Sequence, residues 1–130
     1  MSETPVYRKP IGTARKFIKR LVIDGADYDL CEPSAGDKTL VLKLSKEAGE
    51  IDADRNPTSE DAGIYFLARV AIACLYHPGG RRRVFELGSR EDLEAVKLEP
   101  WLLDSATAFT SSFGGKTVEE EKGNSEATPS

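Results

Sequence analysis

The chain has 130 residues, of which 39% are hydrophobic and 31% charged, with a net charge of −4. That is material for one compact domain with a modest core, and the acidic balance disfavours a protein that lives mainly on a phosphate backbone. No run reaches the length of a transmembrane helix, "MSETPVYRKP" lacks the apolar core of a signal peptide, and Cys31 and Cys74, far apart in sequence, read as free thiols of a reducing cytoplasm.

Residues 1–13, with Pro5, Pro10 and Gly12, read as a flexible lead-in. The globular domain is expected over 14–114. "RKFIKRLVIDGADYDLCEP" carries a hairpin signal: Asp24-Gly25 suits a tight turn that needs positive φ. Leu21 and Ile23 before it, and Tyr28 and Leu30 after it, recur at period two and so share sheet faces. Arg15–Arg20 also fits the start of a basic helix.

The next stretch, "EPSAGDKTLVLKLSKEAGE", admits two readings. Ser34 with Asp37 resembles a capping pair for a helix closed by Gly49, while Leu40, Leu42 and Leu44 alternate as a strand would. We favour the helix for residues 38–48. Asn56-Pro57 marks a turn, after which Thr58 or Ser59 caps a helix with Glu60 and Asp61 in its first turn. From Ile64 to Tyr76 only Arg69 is charged, the pattern of a central helix packed on several sides.

Pro78-Gly79-Gly80 is expected to stop that helix, and Arg81, Arg82 and Arg83 to follow in a tight turn before Val84-Phe85 re-enters the core as a short strand. "SRED" at 89–92 opens a short helix with Leu93 and Val96 inward. Pro100 then suits the first turn of a last helix, whose stripe is Leu98, Leu102, Ala106, Phe109 and Phe113, with Trp101 beside it and Gly114 at its end. Residues 115–130, poor in apolar side chains, read as a disordered tail. The fold class expected is α+β: a small N-terminal β-hairpin or sheet followed by a mainly helical bundle.

No constellation for chemistry emerges, so no catalytic residue is nominated. His77 has no partner base or nucleophile in sequence and reads as a surface residue or a helix-end dipole partner. Two distant cysteines and one histidine are a poor zinc set. "DADRN" resembles the opening of a calcium loop, but Pro57 and Gly63 stand where the loop needs Gly and Glu. No phosphate-binding glycine motif is present, and no cofactor or metal is expected. What remains is a small binding or assembly protein.

"RLVIDGADYDLCEPSAGD" and "AIACLYHPGGRRRVFELGSREDLEAVKLEPWLLDSATAFTSSFG" together resemble the tail assembly chaperones of long-tailed (siphovirus-type) bacteriophages, in their short form. The first block is similar to a hairpin leading into a helix; the second to an apolar helix, a glycine turn, a "VF" element, an acidic helix and a last helix. The resemblance spans residues 17–114 except for 45–60, and it ends at Phe113-Gly114-Gly115 where the family commonly has Asn-Gly.

The resemblance implies a non-enzymatic protein of the host cytoplasm, not retained in the mature virion. It implies binding to the helical tape measure protein, keeping it soluble and helping to recruit tail tube protein. It also implies a longer form made by programmed frameshifting, for which Gly115-Lys116 is the candidate slippery position. Independently of it, a long amphipathic client calls for an apolar groove. The groove residues expected are the aromatic anchors Trp101, Phe109 and Phe113 with Leu102, the alternative being that all four are monomer core. Arg81, Arg82 and Arg83 are candidates for meeting acids on a partner or a second copy, and homo-oligomers through the same faces or the sheet edge are also expected. The competing reading is a small nucleic-acid-associated adaptor using Arg15–Arg20 and Arg81–Arg83.

Overall fold

The computed structural model describes residues 15–115. The expected lead-in, residues 1–13, and the expected tail beyond Gly115 lie outside the described residues. Strands β1 (Phe17–Ile23) and β2 (Ala26–Cys31) form an antiparallel hairpin. Its turn is Asp24-Gly25, with φ of 52° and 80°, the mirror-image geometry that follows the natural twist of paired strands. Leu21 opposes Tyr28 and Ile23 opposes Ala26, so the apolar set expected from period two shares one face. The other face opposes Arg20 to Asp29, joined at 2.7 Å. Register slips between Phe17 and Lys19; this bulge leaves Ile18 buried and Phe17 exposed. Residues 17–20 are therefore strand, not the basic helix that Arg15–Arg20 also allowed.

Helix α1 (Ala35–Glu47) settles the ambiguous segment as helix. The Ser34 hydroxyl accepts from the Asp37 N–H at 3.1 Å. The buried residues are Val41 and Ser45, four apart, whereas Leu40 stays exposed; the alternation of leucines was a surface accident on a helical period. Helix α2 (Glu60–Cys74) is capped by Ser59, and Ala68 to Cys74 are all buried. Within that run Arg69 meets Glu50 in a bidentate pair at 2.8 and 2.9 Å, both side chains buried. Glu50 comes from the 48–59 connection, which this pair fastens to α2.

Four expectations are corrected beyond α2. The apolar helix ends at Cys74, not at the Pro-Gly-Gly stop, because Leu75–Tyr76 form β3 on the free side of β2, with Leu75 opposite Leu30 and Tyr76 opposite Asp29. Pro78 already disfavours a helical His77, and the vacant hydrogen-bonding edge of β2 takes up the two residues before it. Val84-Phe85 is no strand: Tyr76 and Arg83 form a single bridge, and the Val84 N–H reaches the Leu75 carbonyl at 3.4 Å. After α3 (Arg90–Lys97), where Leu93 and Val96 are buried as expected, the last helix is bent into α4 (Pro100–Asp104) and α5 (Ala106–Phe113) at Ser105, whose φ is −111°. The Ser105 N–H still reaches Trp101 O and its carbonyl still accepts from Phe109, both at 3.0 Å, so the axis bends without a gap. Leu98, expected in the inward stripe, is instead 79% exposed at the C-terminal cap of α3.

The core lies between the inner face of the sheet and α2, closed by α5, α3 and α1. Phe109 and Leu102 are fully enclosed in it. Because removing one half of a buried ion pair strands the other charge, Glu50→Ala should lower the unfolding free energy by about 3 kcal/mol. The double change Glu50→Leu with Arg69→Met should recover most of that loss; urea denaturation of the two variants measures both.

Candidate partner-binding groove

The groups most often recruited for chemistry are engaged structurally. His77 lies in the turn after β3: its N–H donates to Arg82 O at 2.8 Å, its carbonyl accepts from the Gly80 N–H at 3.1 Å, and its ring tilts against Tyr28 at 6.0 Å. Both thiols are buried. Burial, and then the nearby Asp29 carboxylate, push Cys31 up to about 11. Burial raises Cys74 further, and its thiol points at the Phe109 carbonyl, 3.7 Å away. A thiol held protonated is a poor nucleophile. Among the described residues no group of three or more His, Cys, Asp or Glu is placed to hold a metal ion. The calcium-like "DADRN" is a closed local turn, in which Asp52 Oδ1 accepts from the N–H groups of Asp54 and Asn56, both at 2.9 Å.

An apolar groove of about 310 Å³ lies between the hairpin and the α3–α4 corner. Ile23 and Tyr28 form one wall, Leu75 and Val84 the floor, Phe85 and Trp101 the other wall. The Phe85 and Trp101 rings stack at 6.4 Å, and Trp101 tilts onto buried Phe109 at 5.9 Å. The wall thus has a rigid backing of the kind that suits an anchor for a partner. Trp101 Nε1–H donates to Glu99 Oε1 at 3.0 Å, which fixes the ring plane. Leu98 and Leu103, on the segment that bears Trp101, are 79% and 61% exposed. Neither lines the groove.

The structure separates the residues nominated from sequence. Trp101 lines the groove. Leu102 and Phe109 are fully buried, so for them the monomer-core alternative holds. Phe113 is half-buried against the core and does not line the groove. Sequence reasoning missed Tyr28, Val84 and Phe85. Their one local signal was Val84-Phe85 re-entering an apolar environment after the arginine turn.

The arginine run does not act as a block either. Arg83 turns inward to pair with Asp37 and lies over the Tyr76 ring at 5.7 Å, while Arg81 and Arg82 are exposed. The Arg15 N–H donates to Gly80 O at 3.0 Å, which brings the two basic segments together, but Arg20 is tied to Asp29 and Asp27 at 2.7 and 3.3 Å.

No family model, curated protein or solved structure matches this chain. No helix of the described residues is long and apolar enough to cross a membrane.

A buried thiol with a raised pKa favours the folded state while it stays protonated. Cys31 therefore contributes its full stabilisation below about 9, and that contribution fades as pH rises towards about 11. In native protein at mildly alkaline pH neither thiol should react with a disulfide reagent within minutes, and both should react at once in concentrated guanidinium; thiol titration by absorbance measures this.

Proposed function

We propose that this chain is a non-enzymatic binding protein for helical clients, acting as a tail assembly chaperone of a long-tailed bacteriophage. The observation that carries the reading is the apolar groove lined by Tyr28, Phe85 and Trp101. A groove of this kind takes the apolar face of an amphipathic helix, and a tape measure protein is a long succession of such helices. Covering that face before the tail tube forms keeps the client from self-association; the chaperone then departs as tube protein replaces it. In this reading the protein acts in the host cytoplasm and is left out of the finished particle. The buried thiols and the engaged His77 suit a protein that handles surfaces, not bonds.

A second reading, a nucleic-acid adaptor, draws on the backbone contact between Arg15 and Gly80 that unites the two basic segments. Against it stand the acids that already hold Arg20 and Arg83.

Co-expression with the tape measure protein of the same genome discriminates between the two. The chaperone reading expects soluble client only when this chain is present, and co-elution on size exclusion. A client equally insoluble with and without it refutes that reading. The adaptor reading instead expects a DNA gel shift that weakens steeply with salt.

A further inference from the structure

The groove's rim has a charge of one sign, and that sign specifies what enters. Two acids, Asp24 and Glu99, line it, and no cation among the described residues does. Asp24 sits at the hairpin tip with no ion-pair partner among the described residues. On the opposite wall, α3 presents exposed Ala95, with Glu91 four residues before it and Glu99 four residues after. Helical spacing sets Glu91 on the side of Ala95.

The two cations of α3 are drawn to the other side. Arg90 pairs with Glu94 at 2.8 Å and lies over the Tyr65 ring at 5.3 Å. Lys97 pairs with Asp61 at 2.9 Å and lies over the same ring at 4.0 Å. The next cation along the chain, Arg83 beside Val84, is held by Asp37. Tyr65, Asp61 and Glu94 therefore hold both cations of α3 away from the groove, whose described lining is apolar side chains with two carboxylates.

We infer that the groove binds an amphipathic helix whose apolar face is bordered by lysine or arginine, with Trp101 and Phe85 taking the apolar face and Asp24, Glu91 and Glu99 taking the basic borders. This rests on the reading of the groove as a client site and adds the charge character of the client. Opposite charge at a rim steers encounter and rejects like-charged competitors more than it deepens affinity. Small, exposed Ala95 leaves room for a helix backbone to come close.

The chain's single tryptophan sits in the groove and serves as the probe. Two synthetic amphipathic helices of about 18 residues would be titrated against the full chain, followed by Trp101 fluorescence. They share one leucine-rich face and differ only in borders of lysine or of glutamate; a third peptide keeps the lysines but has a serine face. The expected result is binding of the lysine-bordered helix about tenfold tighter than the glutamate-bordered one at low salt, a gap that closes at high salt. The serine-faced control should not move the signal.

The triple variant D24N/E91Q/E99Q keeps the turn geometry and an acceptor for Trp101, and should erase the preference. Equal affinities for both borders overturn the charge inference and leave the groove reading standing. Binding of the serine-faced peptide as tight as the leucine-faced one also overturns it. No change in Trp101 with either leucine-faced helix overturns the groove reading, and the charge inference with it.

Discussion

Seven consecutive residues of α2, Ala68 to Cys74, have no access to solvent to speak of, and the domain is arranged to make that possible. A helix buried all round must be enclosed on every side, here by α5, α3, α1 and α4, with α5 also packing on the hairpin. It must also neutralise the one charge it carries. The fork of N–H donors on a guanidinium matches a carboxylate, and Glu50 is brought in from the connection before the helix to meet Arg69 with two parallel hydrogen bonds. The connection is also held by an Asp52-centred turn, the Thr58 hydroxyl on Gly49 O, the Glu50 N–H on Ser45 O, and buried Ile51 bridged to Pro57. The ion pair adds a link from this connection to the middle of α2.

The same helix sets up the groove by the way it ends. At Leu75 the backbone leaves the helix and runs antiparallel to β2, so the helix and the sheet share one continuous stretch of chain. That stretch fixes where the following turn begins. Asp29 holds the turn by accepting from the Gly79 N–H at 2.9 Å, and the Arg15 N–H holds it again through Gly80 O. Val84 and Phe85 then emerge beside Leu75, facing Trp101. The groove is thus a by-product of joining a central helix directly to an edge strand, and its aromatic wall is supported by Phe109 in the core.

What the sequence disclosed follows from how local each signal is. The Asp24-Gly25 turn and the Ser34, Ser59 and Ser89 caps depend on residues within four positions of one another, and each stands where the sequence put it. The two residues of β3 carry helix-compatible side chains in an apolar run. Their strand conformation comes from β2, more than forty residues earlier, whose edge had bonds to offer. The bend at Ser105 likewise has no local breaker; α4 and α5 both pack on α2, and α5 packs on the hairpin as well. Trp101 was legible as an anchor because a large ring beside an apolar stripe has to cover something. Leu102 and Phe109 were not separable from it by spacing alone, since a small domain uses the same period for its core. Tyr28, Phe85 and Trp101 meet only through the tertiary fold.

Gly115 is the last described residue, and its placement has a practical side. The Lys16 ammonium donates to its carbonyl at 2.8 Å, and its α-carbon lies so close to the Glu32 carboxylate that a methyl group there would sit about 2.5 Å from it. Lys16 and Glu32 belong to the open end of the hairpin, while Asp24 and Ile23 at the closed end border the groove. The seven residues of β1 separate the two by roughly 20 Å. A fluorescent label, an affinity handle or a surface tether joined directly at Gly115 would be attached at the end of the hairpin remote from the groove. Immobilising the chain by that end would present the groove outward.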